Sequence, residues 1–393
     1  MTQVHSGLDV LLSSPRTFIK GRNIGLLVNQ TSVAGDGEHS IFHLRRLSDF
    51  ELVRLFAPEH GLYGVEQDMV EVDNIRDSAT ALPVDSLYGK SSNSLIPDPI
   101  VLEGIDTLIY DIQDIGSRYY TFVNTLANCM KVCGETGVAM VVCDRPNPIN
   151  GIQVEGNLVK EDTRSFVGQF PIPNRHGMTT GELARLFWNH FDLKCDLTVV
   201  QMRGWERSMW YDETELPWIA PSPNMPTLTT ATVYPGMCLL EGTHLSEGRG
   251  TTQPFEFFGA PYIDANLLAE DLNSEELDGV FFRPHYFKPT FHKWSGRVCG
   301  GVQVHVTDDE LFRPVLSGVA AIRAVAKRYP KEFNWRKEPY EFVSDRPAID
   351  LLYGNSQLRE TLFQGSQNLK DIEESWREEL ESFLVIRREY LLY

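Results

Sequence analysis

The stretch Asn23-Ile24-Gly25-Leu26-Leu27-Val28-Asn29 is short and apolar nearly throughout, the pattern of a strand covered on both faces within a parallel sheet. Similar segments recur at residues 52–57, 107–110, 139–143 and 197–201. Helix-like stretches separate them at residues 40–47, 122–135 and 180–191, the last opened by Thr179-Thr180-Gly181-Glu182 in the manner of a capping box. Strand alternating with helix predicts an α/β fold, a doubly wound parallel sheet with right-handed crossovers. Ligands of such open sheets bind outside the carboxyl ends of the strands. The segments to read for chemistry are therefore Asn29-Gln30-Thr31, Pro58-Glu59-His60-Gly61, residues 111–120, and Asp144-Arg145-Pro146-Asn147-Pro148.

Working outward, 393 residues with 42% hydrophobic and 11% aromatic content can bury a large core, and the length favours two domains over one. The Pro-rich run Pro221-Ser222-Pro223-Asn224-Met225-Pro226 reads as a rigid linker or active-site loop, with a second domain beginning near it. That second part holds a Gly-rich segment at residues 242–250 and an alternating, strand-like segment at residues 301–306. Its last helix, at residues 371–390, spaces Ile372, Trp376, Leu380, Phe383 and Leu384 along one face.

The formal charge of -18 argues against nucleic acid or an anionic membrane surface as partner, because both are gripped by clustered Lys and Arg. No run approaches the ~20 apolar residues of a membrane span, so no membrane insertion is expected. The first twenty residues lack a long apolar core, which predicts a soluble, cytoplasmic protein unless a leader has been removed, in which case it is periplasmic or secreted. The six cysteines have neither disulfide-scaffold nor metal-knuckle spacing and are expected to be buried thiols.

Glu59 is the strongest catalytic candidate. It directly follows an apolar strand, and a carboxyl held there beside apolar walls can favour the acid form that a general acid needs; the alternative is a turn carboxylate that caps a helix or pairs with an Arg. In the run from Glu241 to Thr252, glycines let the backbone approach a ligand while Glu247 and Arg249 supply charge, although the run also fits a solvated loop. Neither GxGxxG nor GxxxxGK[ST] occurs, so no nucleotide or other cofactor is expected. Beyond the third apolar segment, Asp111, Asp114, Arg118, Tyr119 and Tyr120 offer acids, aromatic faces for a sugar ring, and a guanidinium fork for a carboxylate. The same acids can instead cap the next helix and pair with Arg118. Two stiff loops add Arg145 and Asn147, then Arg175 and His176, the latter more simply read as a hydrogen-bonded loop histidine. A metal site of His60, His176, Asp111 and Asp144 is conceivable, but no HExxH-like spacing supports it and no metal is expected.

Several segments together resemble the NamZ-like exo-β-N-acetylmuramidase family. They are Phe56-Ala57-Pro58-Glu59-His60-Gly61, Gly116-Ser117-Arg118-Tyr119-Tyr120-Thr121, Asp144-Arg145-Pro146-Asn147-Pro148, Arg175-His176-Gly177-Met178-Thr179, residues 221–227, residues 245–252 and the closing Tyr390-Leu391-Leu392-Tyr393. Their order spans nearly the whole chain.

The resemblance implies a Rossmann-like domain over residues 1–228, a smaller α+β domain over residues 229–393, and an active-site cleft between them that takes terminal N-acetylmuramic acid (MurNAc) from peptidoglycan glycans. It implies Glu59 as leading catalytic carboxylate and Glu247 as the second, with Asp111 and Asp114 in reserve. Under that scheme Glu59 is the acid and Glu247 the nucleophile or base, while assistance by the substrate's own acetamido group is a third route, oriented by Asp111, Asp114 or Tyr119. MurNAc carries a lactyl carboxylate, for which Arg118 and Arg249 are first choices and Arg145 and Arg175 follow. His60, Tyr119, Tyr120, Asn147, His176 and Asn224 complete the expected sugar contacts. The competing readings are a non-catalytic sugar or muropeptide receptor and a metal-dependent hydrolase.

Overall fold

A computed structural model describes residues 3–363 and 368–393. Its strands, in chain order, are β1 (Asn23–Val28), β2 (Glu51–Ala57), β3 (Ile75–Arg76), β4 (Pro83–Ser86), β5 (Thr107–Asp111), β6 (Ala139–Cys143), β7 (Glu155–Leu158), β8 (Pro173–Arg175), β9 (Leu197–Val200), β10 (Phe257–Ala260), β11 (Val280–Phe287) and β12 (Cys299–Val306). Seven of them form one sheet in the order β3-β4-β2-β1-β5-β6-β9, parallel throughout except for the β3–β4 pair. From β1 the chain adds β2 on one side and β5 on the other, which is the reversal of a doubly wound sheet.

Both faces of the sheet are covered, as the apolar runs require. Ile24, Leu26 and Val28 pack with Leu55, Ile109 and Val141 on one face, while Leu27 packs with Phe56, Leu108 and Val142 on the other. Burying one such Leu fully is worth roughly 2 kcal/mol. Helix Thr180–Asn189 starts with the expected capping box: Thr179 N–H donates to Glu182 Oε2 at 3.0 Å, and Glu182 N–H to the Thr179 hydroxyl at 3.3 Å.

The second half is built on a three-stranded antiparallel sheet, β10-β12-β11, with helices Leu228–Met237, Ala265–Asn273 and Pro314–Arg328. β11 contains Pro284 and lies at an edge, where a missing N–H is tolerated. The first and last of these helices meet at Gly236 and Gly318, where a Cβ on Gly236 would stand 1.7 Å from the Pro314 carbonyl oxygen. The halves are not separate in their packing. Leu126 and Leu183 belong to the same buried cluster as Val319, Leu352 and Trp376, and the final helix, Leu369–Arg388, packs back on β7. The six cysteines are free, and all but Cys195 are buried. Among the described residues, no helix is long and apolar enough to cross a membrane.

Candidate active site

A cavity opens beyond the carboxyl end of β2, walled by both halves of the chain. Four carboxyls line it, Glu59, Asp68, Glu241 and Glu341, with Arg249 as its guanidinium. His60, Tyr119, Tyr120, Thr121, Ser222 and Asn224 supply further polar wall, and Tyr234, Phe255 and Tyr340 supply aromatic wall.

Glu59 is set by the turn after β2. His60 and Gly61 both take left-handed backbone, with φ of 71° and 80°, a conformation that costs a non-glycine residue such as His60 about 1–3 kcal/mol. The turn is closed by Gly61 N–H donating to the Pro58 carbonyl at 3.1 Å, and by His60 Nδ1–H donating to the Glu66 carbonyl at 2.8 Å. Glu59 is thereby turned inward and buried. Its Oε1 accepts from the Met69 N–H at 3.1 Å and its Oε2 from the Thr121 hydroxyl at 2.7 Å.

Glu341 approaches from the second half. Tyr340 and Val343 exchange both backbone hydrogen bonds at 2.9 Å, so Glu341 and Phe342 form a two-residue hairpin turn with φ of 45° and 66°. Such turns favour Asn and Gly, and neither is present. The Phe342 ring packs on Tyr88, 5.4 Å between centroids, and the Tyr88 hydroxyl donates to Glu341 Oε2 at 3.0 Å. Burial, followed by the neighbouring Glu59 charge, pushes the Glu341 carboxyl well above the usual carboxylate range. The same surroundings push the Tyr88 phenol up.

Arg249 is already engaged. It pairs with Asp68 at 3.0 Å and Glu241 at 2.8 Å, stands 3.5 Å from Glu247, and lies over the Phe255 ring at 5.0 Å. The second Glu241 oxygen accepts from the Tyr340 hydroxyl at 2.6 Å.

Of the residues expected from sequence, the cavity brings together Glu59, His60, Tyr119, Tyr120, Asn224 and Arg249. The others lie elsewhere, each for a physical reason. Glu247 is fully buried behind the wall, 2.9 Å from Lys293 and 3.1 Å from His292; against the upward push of burial, the Lys293 ammonium, followed by the His292 hydrogen bond, holds its carboxyl well below the usual range. Asp111 pairs with Arg145 at 2.6 Å at the end of β5, and Arg145 also donates to the Val33 carbonyl. Asp114 accepts from the Gly116 N–H at 2.7 Å and faces His176 at 3.5 Å, while His176 Nδ1 accepts from the Met178 N–H. Asn147 spans a turn by donating to the Met178 carbonyl and accepting from the Ile149 N–H.

Arg118 is buried, and its fork donates to four carbonyls: Asn157 and Ile172 in the first half, Leu352 and Tyr353 in the second. Burial lowers its pKa to about 10. It ties the halves together and does not face the cavity. Arg175 donates to the Ile149 carbonyl and lies 5.6 Å from the Trp210 ring centroid, likewise lowered to about 10 by burial. His60, His176, Asp111 and Asp144 do not converge; among the described residues, the group that could hold a metal is Asp36, Glu38 and His43.

The arrangement resembles that of known proteins throughout its length. The family profiles for the N-terminal and C-terminal parts of exo-β-N-acetylmuramidase NamZ match residues 24–229 and 232–393. The chain is 43% identical over 391 residues to the peptidoglycan β-N-acetylmuramidase NamZ of Bacillus subtilis (strain 168), covering 100% of this chain and 92% of that one. Two crystal structures of DUF1343 family proteins from Bacteroides fragilis NCTC 9343 share the fold. One has a TM-score of 0.90 at 35% identity and covers 100% of both chains; the other has 0.78 at 28% and covers 100% of this chain and 99% of that one.

Proposed function

The chain belongs to the NamZ family of exo-β-N-acetylmuramidases, glycoside hydrolases of peptidoglycan, and we propose that Glu59 and Glu341 carry its chemistry. The supporting observation is that these two buried carboxyls, one from each half, line a single cavity beyond the end of β2.

Glycosidic cleavage needs a proton for the leaving oxygen and negative charge or a base on the other face of the sugar. Pairs of carboxyls whose surroundings push their proton affinities apart divide such work. Glu341 is buried beside the charge of Glu59, and both favour its acid form. It supplies its proton to the departing oxygen. Glu59, oriented by Met69 N–H and Thr121 hydroxyl, serves as the carboxylate that activates water. This exchanges the acid role expected of Glu59 for the base role and moves the second role from Glu247 to Glu341.

Selectivity for the lactyl carboxylate falls to Arg249, the cavity's guanidinium. Of its partners Asp68 is the most exposed, 13% against 5% for Glu241 and 0% for Glu247, so Asp68 is the one the substrate's carboxylate displaces. To the Tyr120 hydroxyl, on the cavity wall near Ser222, we assign the acetamido group. The test is turnover of an aryl β-MurNAc glycoside. Glu59→Gln and Glu341→Gln should each lower release of the aryl group by about 10²–10⁴-fold while retaining sugar binding; full activity in either variant would overturn its assignment.

A further inference from the structure

A second depression lies against the same wall as the cavity and is lined by His244, His292, Lys293, Trp294, Arg336 and Glu338. The two are joined through shared neighbours. The Arg336 guanidinium sits 5.2 Å from the ring centroid of Tyr340, a cavity residue, and its Nη2 lies 3.9 Å from the sulfur of Met69, whose N–H donates to Glu59. Most of the positive charge here is spent. Lys293 donates to the Leu240 and Leu245 carbonyls and to Glu247, and His292 faces Glu247 as well.

Arg336 is different. Among the described residues it has no carboxylate within 4.0 Å, and its Nη2 reaches only the Met69 sulfur and the Pro339 carbonyl. His244 Nε2 is buried with no hydrogen-bond partner among the described residues. Trp294 is held in place by its indole N–H donating to the His244 carbonyl at 2.7 Å; Arg297 lies over the ring at 4.9 Å, and the ring also lines the depression. An aromatic ring beside an unpaired guanidinium, in a chain of net charge -18, is a local arrangement for a sugar that carries a carboxylate.

We infer that this groove holds the leaving glycan, with Trp294 against a sugar ring and Arg336 on the carboxylate borne by the next muramic acid along the strand. The inference rests on the cavity being the site of cleavage.

The experiment compares an aryl β-MurNAc glycoside with MurNAc-GlcNAc-MurNAc trisaccharides whose second lactyl group is the free acid, the methylamide, or an amide to a short acidic stem peptide. For Arg336→Gln and Trp294→Ala, kcat/KM for the free-acid trisaccharide relative to the aryl glycoside should fall at least tenfold. The methylamide should lose discrimination between wild type and Arg336→Gln. A loss confined to the stem-peptide substrate would assign the groove to peptide carboxylates and overturn the lactyl contact. Unchanged ratios for all three would overturn the groove as a leaving-chain site. The underlying reading fails separately, through an active Glu59→Gln enzyme on the aryl glycoside.

Discussion

Glu59 and Glu341 line one cavity from opposite halves of the chain, and burial, followed by the charge of the first, raises the proton affinity of the second. One arrives on the turn after a parallel strand; the other sits in a hairpin turn with neither Asn nor Gly. Local strain kept at such a position is common where a side chain must be aimed at a reacting atom.

The pair should govern the pH dependence of hydrolysis. Because the Glu341 carboxyl is shifted upward, kcat/KM should fall on the alkaline side as Glu341 loses its proton. Glu341→Gln should lower kcat/KM by about 10²–10⁴-fold and flatten that limb. A wild-type alkaline limb in Glu341→Gln, measured on an aryl MurNAc glycoside, would remove the residue from the acid role.

Arg249 and Arg118 should separate cleanly in selectivity. Arg249→Lys keeps the charge but loses the fork, and should reduce the preference for MurNAc over GlcNAc aryl glycosides by at least ~10-fold. Arg118→Lys should leave that preference intact and instead destabilise the protein by about 3 kcal/mol, since it strips charged hydrogen bonds from buried carbonyls. Urea unfolding and the ratio of initial rates measure the two effects independently.

Glu247 should prove to be a residue of stability. Glu247→Gln leaves Lys293 without its carboxylate behind the cavity wall, at a cost of about 3–5 kcal/mol. A thermal midpoint equal to that of the wild type would show that the ion-pair cluster contributes nothing.

Asp144 gives a stability prediction with a defined sign. Burial, followed by the Glu182 charge, raises its pKa from 3.8 to about 7 in the folded chain. The folded state therefore holds this proton more tightly than the unfolded state, and stability falls as pH rises from about 4 through about 7. Asp144→Asn should show a smaller loss than wild type between pH 5 and pH 8, followed by thermal melts at both values. Equal losses in the two proteins would assign the dependence to other groups.

The parts of the molecule that declare themselves in sequence are those whose environment is uniform. β1 and its parallel neighbours are apolar on both faces because both are covered, and Glu59 is conspicuous because it follows one of them directly. β11 is hidden by Pro284, acceptable only because the strand lies at an edge, a fact of topology that no local window contains. Arg118 illustrates a different limit. A guanidinium fork fits carbonyls as well as carboxylates, and only the packing of helix Ala348–Tyr353 against the first half decides between them. Glu341 gave no local signal, since Tyr340-Glu341-Phe342-Val343 lacks turn chemistry and the hairpin is imposed by Tyr88 and its neighbours.

The hairpin that carries Glu341 also bears on synthesis. Chains emerge from the ribosome N-terminus first and fold largely in that order. The sheet bearing Glu59 is complete once β9 has been made, whereas Glu341 follows only after the antiparallel sheet of the second half. A nascent chain thus holds one carboxylate and no proton donor opposite it. With the roles proposed here, a chain that stops short of this hairpin keeps the base and lacks the acid.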